Sequence, residues 1–169
     1  MSKNDNSPVR SVVEQINHNA TMWIGRSSGD NKEVLCGQTF IALSEGDLEN
    51  IEVFSSIVTK PGNVVMTIHD FDTQHRTWGP SIGTASVDLN NTNTDKWVKF
   101  HIPGLHLQKG KTYGFRLACA NSYIGVGEAA GDHEQPPFAN GQEWQFTPAD
   151  QKGHSFSYFS LAFKVGLRA

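Results

Sequence analysis

Runs of basic residues are missing from this sequence. Lys and Arg number 14 against 17 Asp and Glu, giving a formal net charge of −3, and they gather into no stripe. That balance speaks against nucleic acid and against an anionic membrane surface as partners. Long apolar runs are missing as well: none approaches the roughly 20 residues that a helical membrane span requires. The opening MSKNDNSPVR is polar and lacks the apolar middle of an export signal, so no Sec-type signal is expected in the chain as given. Cysteine is scarce. Cys36 and Cys119 lie far apart and in no CxxC or Cys/His spacing, which excludes a disulfide scaffold and a zinc ribbon. Two buried thiols are the first reading, and a disulfide between neighbouring strands is the second. The chain has 7 histidines (His18, His69, His75, His101, His106, His133 and His154), none in an HExxH, HxH or HxD pattern. GxSxG and the phosphate-cradling GxxxxGK[ST] are absent too.

What is present is short strand patterning broken by turns. With 169 residues, 16 of them Gly, and only 18% charged, the chain suits one turn-rich domain able to bury its own core. Strands are expected over 34–43, 51–59, 64–71, 81–89, 97–102, 112–120, 122–128, 143–147 and 156–167. Alternation is clearest where Val64, Met66 and Ile68 share a face, where Tyr113, Phe115, Leu117 and Cys119 do, and where Phe159, Leu161, Phe163, Val165 and Leu167 do. Segments 26–33 and 131–141 read as loops, and 44–50 and 60–63 as turns. The opening SVVEQINHNATMW, 11–23, fits a short helix or an edge strand. The expectation is an all-β, two-sheet antiparallel β-sandwich, with residues 1–33 as an N-terminal extension packing on a sandwich domain of residues 34–169.

The order of these features resembles a bacterial jelly-roll β-sandwich module of carbohydrate-binding-like (galactose-binding-like) type. The opening match is Gln38, Thr39, Phe40, Gly46, Leu48, Ile51 and Val53. The middle match is Trp97, Phe100, Leu107, Gly110, Thr112, Tyr113 and Phe115. The close is FANG…SYFSLAFKV, with Ser160 where Asp is usual. The resemblance spans roughly residues 35–165 and implies an extracellular or cell-surface binding unit of secreted bacterial proteins.

The stretch HDFDTQHRTWG, 69–79, concentrates chemistry-bearing residues. Asp70 and Asp72 are hard oxygen ligands at a loop, so a structural calcium ion is carried as an option, with no other cofactor expected. Glu128, Asp132, Glu134 and Glu143 complete the carboxylates weighed for acid–base hydrolysis. They read as solvated loop groups without a converging pair. Sugar binding asks for an aromatic ring on the apolar face of a pyranose and a few polar groups for its hydroxyls. Trp78 in the loop, with Tyr123 and Trp144 bordering 129–141, supplies rings; Asp70, Asp72 and His75 supply polar groups. Trp97 and Trp23 read as sheet packing. The functional expectation is therefore a non-catalytic binding module with carbohydrate first among ligands. A structural or protein-interaction domain of a larger assembly comes second, and a small hydrolase using loop carboxylates third.

Overall fold

The structure, a computed structural model, describes residues 8–26, 32–132 and 134–168. Most of the loop expected over 26–33 and His133 therefore lie outside the described residues. Among the described residues thirteen strands follow in chain order: β1 (Val9–Gln15), β2 (Ala20–Gly25), β3 (Leu35–Ile41), β4 (Gly46–Lys60), β5 (Gly62–Asp72), β6 (Thr77–Leu89), β7 (Lys96–Leu107), β8 (Thr112–Ala118), β9 (Tyr123–Ala130), β10 (Glu143–Thr147), β11 (Asp150–Phe156), β12 (Phe159–Leu161) and β13 (Phe163–Arg168). A single 3-10 turn, Asn91–Asn93, separates β6 from β7.

The strands form two antiparallel sheets packed as a sandwich, as the alternation predicts. One sheet runs β1-β13-β4-β9-β12, with β2 beside β9 and β7 beside β4; the other runs β11-β10-β3-β8-β5-β6. Between them lie the expected inward faces: Val64, Met66 and Ile68; Val98, Phe100 and Ile102; Tyr113, Phe115, Leu117 and Cys119; and Leu161, Phe163, Val165 and Leu167. Of the two readings for 11–23, the strand is the one formed. β1 pairs with β13 and β2 with β9, so both are hydrogen-bonded into the sheet. Strands also run further than the sequence suggests: β4 starts inside the expected turn 44–50, and β11 occupies the polar stretch between the expected strands 143–147 and 156–167.

The single closing strand expected over 156–167 is instead two. Phe159–Leu161 pairs with β9, and from Phe163 the chain pairs with β4. The break exposes the Leu161 peptide to the interior, and two buried glutamines satisfy it. Leu161 N–H donates to Gln38 Oε1 at 2.9 Å, and Gln15 Nε2 donates to Leu161 O at 3.2 Å. Ser160 Oγ donates to the same carbonyl at 3.0 Å. Gln38 lies on β3 of the opposite sheet, so its side chain stitches the layers together.

The middle stretch of the resemblance has a similar physical reason. Tyr113 OH accepts the Gln108 N–H at 2.8 Å, holding the turn between β7 and β8. Gly110 occupies that turn with φ +84°, a conformation open to glycine at little cost. Cys36 and Cys119 are both free and buried, so the first reading holds and the disulfide reading falls. Burial, then the charges of Glu143, Cys119 and Glu128, pushes the Cys36 thiol well above its ordinary value.

Candidate ligand-binding cleft

The outer face of the six-stranded sheet carries the candidate site. Cross-strand register places Trp144, Gly37, Arg116 and Thr67 in one row across β10, β3, β8 and β5. Gly114 pairs with His69 in the next row. The two glycines leave the face bare at its centre, and the Trp78 indole fills that space. A Cβ on Gly114 would sit 2.4 Å from the ring, and one on Gly37 would sit 3.1 Å from it. Trp78 is thus not a loop residue, as the sequence implies, but the second residue of β6, opposite Phe71. Its ring is met edge-on by His69, Phe71, Trp144 and Phe146 at centroid distances of 5.5, 5.8, 5.8 and 5.3 Å. Such T-shaped contacts place positive ring edges against negative ring faces.

Arg116 lies against this cluster. Its guanidinium carbon is 4.8 Å from the Trp78 ring centroid and 3.9 Å from that of Phe146. Arg76 stands over Trp144 at 5.7 Å. The two arginines, the two tryptophans, His75, Thr77 and the β11 residues Gln151–Ser155 enclose an open cleft of ≈ 770 Å³. That volume is in the range of small-ligand sites.

The hairpin turn between β5 and β6 forms one wall. Asp72 Oδ1 accepts the N–H groups of Gln74 and His75 at 2.9 and 3.0 Å, and Asp72 Oδ2 lies 2.9 Å from His75 Nδ1. The His75 backbone bond, then its ring, holds the Asp72 carboxyl below its ordinary value. The turn closes with Arg76 at φ 53°, a left-handed conformation that a non-glycine residue adopts at a cost. Arg76 Nη2 donates to Gln142 Oε1 and to Ser155 Oγ, tying the turn to the opposite wall.

His69 supports Trp78 from beside it. Its Nδ1 is 2.9 Å from Gly79 O and its Nε2 is 2.8 Å from Thr67 Oγ1. A carbonyl only accepts, so Nδ1 carries the proton and Nε2 accepts from the hydroxyl. Burial lowers the His69 pKa, in keeping with a neutral ring.

The residues singled out from sequence therefore part company. Trp78, His75 and Trp144 line one cleft. Trp144 is buried and forms its floor. Asp72 builds the turn behind His75, and Asp70 pairs with Lys111 at 2.8 Å, away from the cleft lining. Tyr123 is on the other sheet, stacked on Trp23 at 4.8 Å, and shares no cleft with Trp78. Among the described residues no three His, Cys, Asp or Glu side chains converge as around a metal ion.

Two carboxylates read as solvated do converge, but inside the sandwich. Glu128 on β9 and Glu143 on β10 are both buried. Burial, then the neighbouring Glu128 carboxyl, pushes the Glu143 carboxyl up to about 10. Neither Glu143 oxygen has a partner in good hydrogen-bond geometry among the described residues.

Arg76, Arg116, Lys152 and His154 were not singled out from sequence. A signal for Arg116 exists: it is the outward residue between buried Phe115 and Leu117, next to Gly114, on a face where Gly37 leaves room. Arg76 and the β11 residues carry no comparable signal.

No family model matches the sequence, and no curated protein matches it. Solved structures do resemble the fold. A clostridial cysteine protease, Cwp84, after propeptide cleavage aligns with TM-score 0.56 and 8% identity, over 98% of this chain and 41% of that one. The cysteine protease and lectin-like domains of Cwp84, a surface layer associated protein of Clostridium difficile, align with TM-score 0.54 and 12% identity, over 83% of this chain and 33% of that one. The chain thus spans well under half the length of these neighbours, and identity this low establishes shared fold alone. That fold is a β-rich module found in a bacterial surface protein.

Proposed function

We propose that the chain is a non-catalytic binding module that takes carbohydrate in the cleft beside Trp78. One observation carries the reading: an indole lodged on a sheet's outer face, bordering a ≈ 770 Å³ cleft with hydrogen-bonding walls. Tryptophan packed into a sandwich core would need no such cleft. Sugar recognition uses this combination, an aromatic surface for C–H faces and polar groups for hydroxyls. The lectin-like domain of the surface-layer neighbour supports a binding role and a cell-surface or extracellular setting. Hydrolysis is disfavoured because Asp72 and His75 are engaged with each other, while Glu128 and Glu143 lie in the interior, outside the cleft lining.

Calorimetric titration against plant, bacterial and mucin-type glycans tests the proposal. Trp78→Ala is expected to weaken binding more than tenfold. Absence of binding across all three glycan classes contradicts it.

The opposite sheet favours a second reading. Trp23 and Tyr123 stack on its outer face, and the side chains of Ile57 and Trp23 crowd Gly125 there. Ile57 is 41% exposed, so this face could seat a protein partner. A Trp23→Ser, Ile57→Ser double variant that leaves recovery of a cell-surface partner unchanged counts against it.

A further inference from the structure

The charge of the cleft is the opposite of the chain's. Three permanent cations line it, Arg76, Arg116 and Lys152, together with His75 and His154, and no carboxylate is among the lining residues. The two acids paired with its histidines are thereby engaged. Asp72 is bound to His75, and Asp150 is 2.8 Å from His154. Arg76 is engaged through Gln142 and Ser155, both neutral.

Arg116 is the informative group. It is half-buried against Trp78 and Phe146, and it has no ion-pair partner among the described residues. Removing a guanidinium from water without a counter-charge is costly, and the two aromatic faces offset only part of the cost. Its Nε–H and the indole N–H groups of Trp78 and Trp144 are buried and have no acceptor among the described residues. The cleft is therefore lined by three permanent cations with no carboxylate to balance them. A neutral sugar leaves that charge uncompensated. An anionic sugar complements it.

We propose that the ligand is an acidic glycan, whose carboxylate or sulfate oxygens meet the Arg116 guanidinium while the sugar ring lies beside Trp78. This inference rests on the carbohydrate reading above and names the substrate class. Lys152, exposed on β11, adds long-range attraction, and the planar guanidinium held against the rings presents its terminal N–H groups in a fixed plane.

The test is calorimetry on the full chain with four probes: trigalacturonic acid, its methyl ester, a sulfated galactose trisaccharide and inorganic sulfate. The acid and its ester share a backbone and differ in charge. The proposal predicts that the acid or the sulfated sugar binds at least tenfold tighter than the ester, with affinity falling as NaCl rises from about 0.05 to 0.5 M. Which of the two binds tighter identifies the anionic group. Arg116→Gln is expected to close the gap between acid and ester, and Arg116→Lys to restore it in part. Lys152→Ala, outside the aromatic cluster, is expected to narrow the gap about threefold with an unchanged thermal midpoint, so the proposal stays testable if Arg116 variants fold poorly. Equal binding of acid and ester overturns the acidic class and leaves the carbohydrate reading standing. Binding of sulfate alone, which marks an adventitious ion only, or of none of the probes, overturns the acidic-glycan assignment; the carbohydrate reading is then decided by the wider glycan titration above.

Discussion

At the scale of residues, the two faces of the six-stranded sheet differ in what they hold: an indole seat outward and a buried carboxyl inward. Outward, Gly37 and Gly114 exist to admit an indole. Gly114→Ala should push Trp78 out of its seat, because its Cβ would lie 2.4 Å from the ring. The expected results are a loss of about 2 kcal/mol in denaturant unfolding and a changed near-ultraviolet dichroism signal. An unchanged signal would mean that the indole is not seated there. Inward, Glu143 is a destabilising residue near neutral pH. Its folded pKa is about 10, against an ordinary value of 4.5. Between those values the unfolded chain releases a proton that the folded chain keeps, so this group's contribution to stability falls as pH rises through the window. Glu143→Gln should therefore raise stability at pH 7 by about 1–3 kcal/mol and flatten its decline between about pH 5 and 9. Urea melts across that range check the sign; a destabilised variant with an unchanged slope contradicts it.

At the scale of elements, the break between β12 and β13 shows how a local interruption is made tolerable. Two strands that the sequence writes as one alternating run belong to different pairings, and Gln38 and Gln15 satisfy the peptide left between them. Gln38→Ala leaves the Leu161 N–H buried without its partner and should cost about 1–3 kcal/mol. Hydrogen exchange at Leu161 should rise more than at Val165, since β13 keeps its pairing with β4. Uniform loosening would argue against the glutamine as the local tie. Much of the sandwich was legible in advance because alternation reports burial directly: Val64–Met66–Ile68 and Tyr113–Phe115–Leu117 face the core as written. The break at Ala162 was not legible, because Phe159 to Leu167 keeps period two straight through it. Nor was the extent of β11, whose polar residues alternate without an apolar face to betray them.

At the scale of the whole molecule, the cleft exists only because distant segments meet. Residues 75–78, 116, 144 and 151–155 come from four strands and the turn between β5 and β6, and they converge through the strand order β11-β10-β3-β8-β5-β6. Sequence spacing grouped Trp78, Tyr123 and Trp144 by their loop-like neighbourhoods, and the topology separates Tyr123 onto the other sheet. The same spacing made Glu128 and Glu143 look solvated, whereas the sandwich brings them together in its interior. Trp78 and His75 were readable as candidates, and both line the cleft. Arg116 was not, because its importance lies in its lack of a counter-charge, which only the folded neighbourhood reveals.

The chain's 4 tryptophans permit a direct test of where ligand binds. Trp78 and Trp144 line the cleft; Trp97 packs edge-on against Phe54, and Trp23 stacks on Tyr123, both on the other sheet. Titration of the isotopically labelled chain with an acidic oligosaccharide, followed by the indole N–H resonances, should move the Trp78 and Trp144 signals and leave those of Trp23 and Trp97 in place. Movement of Trp23 or Trp97 with Trp78 and Trp144 unmoved, or no movement at saturating glycan, would contradict the assignment of this cleft as the binding site.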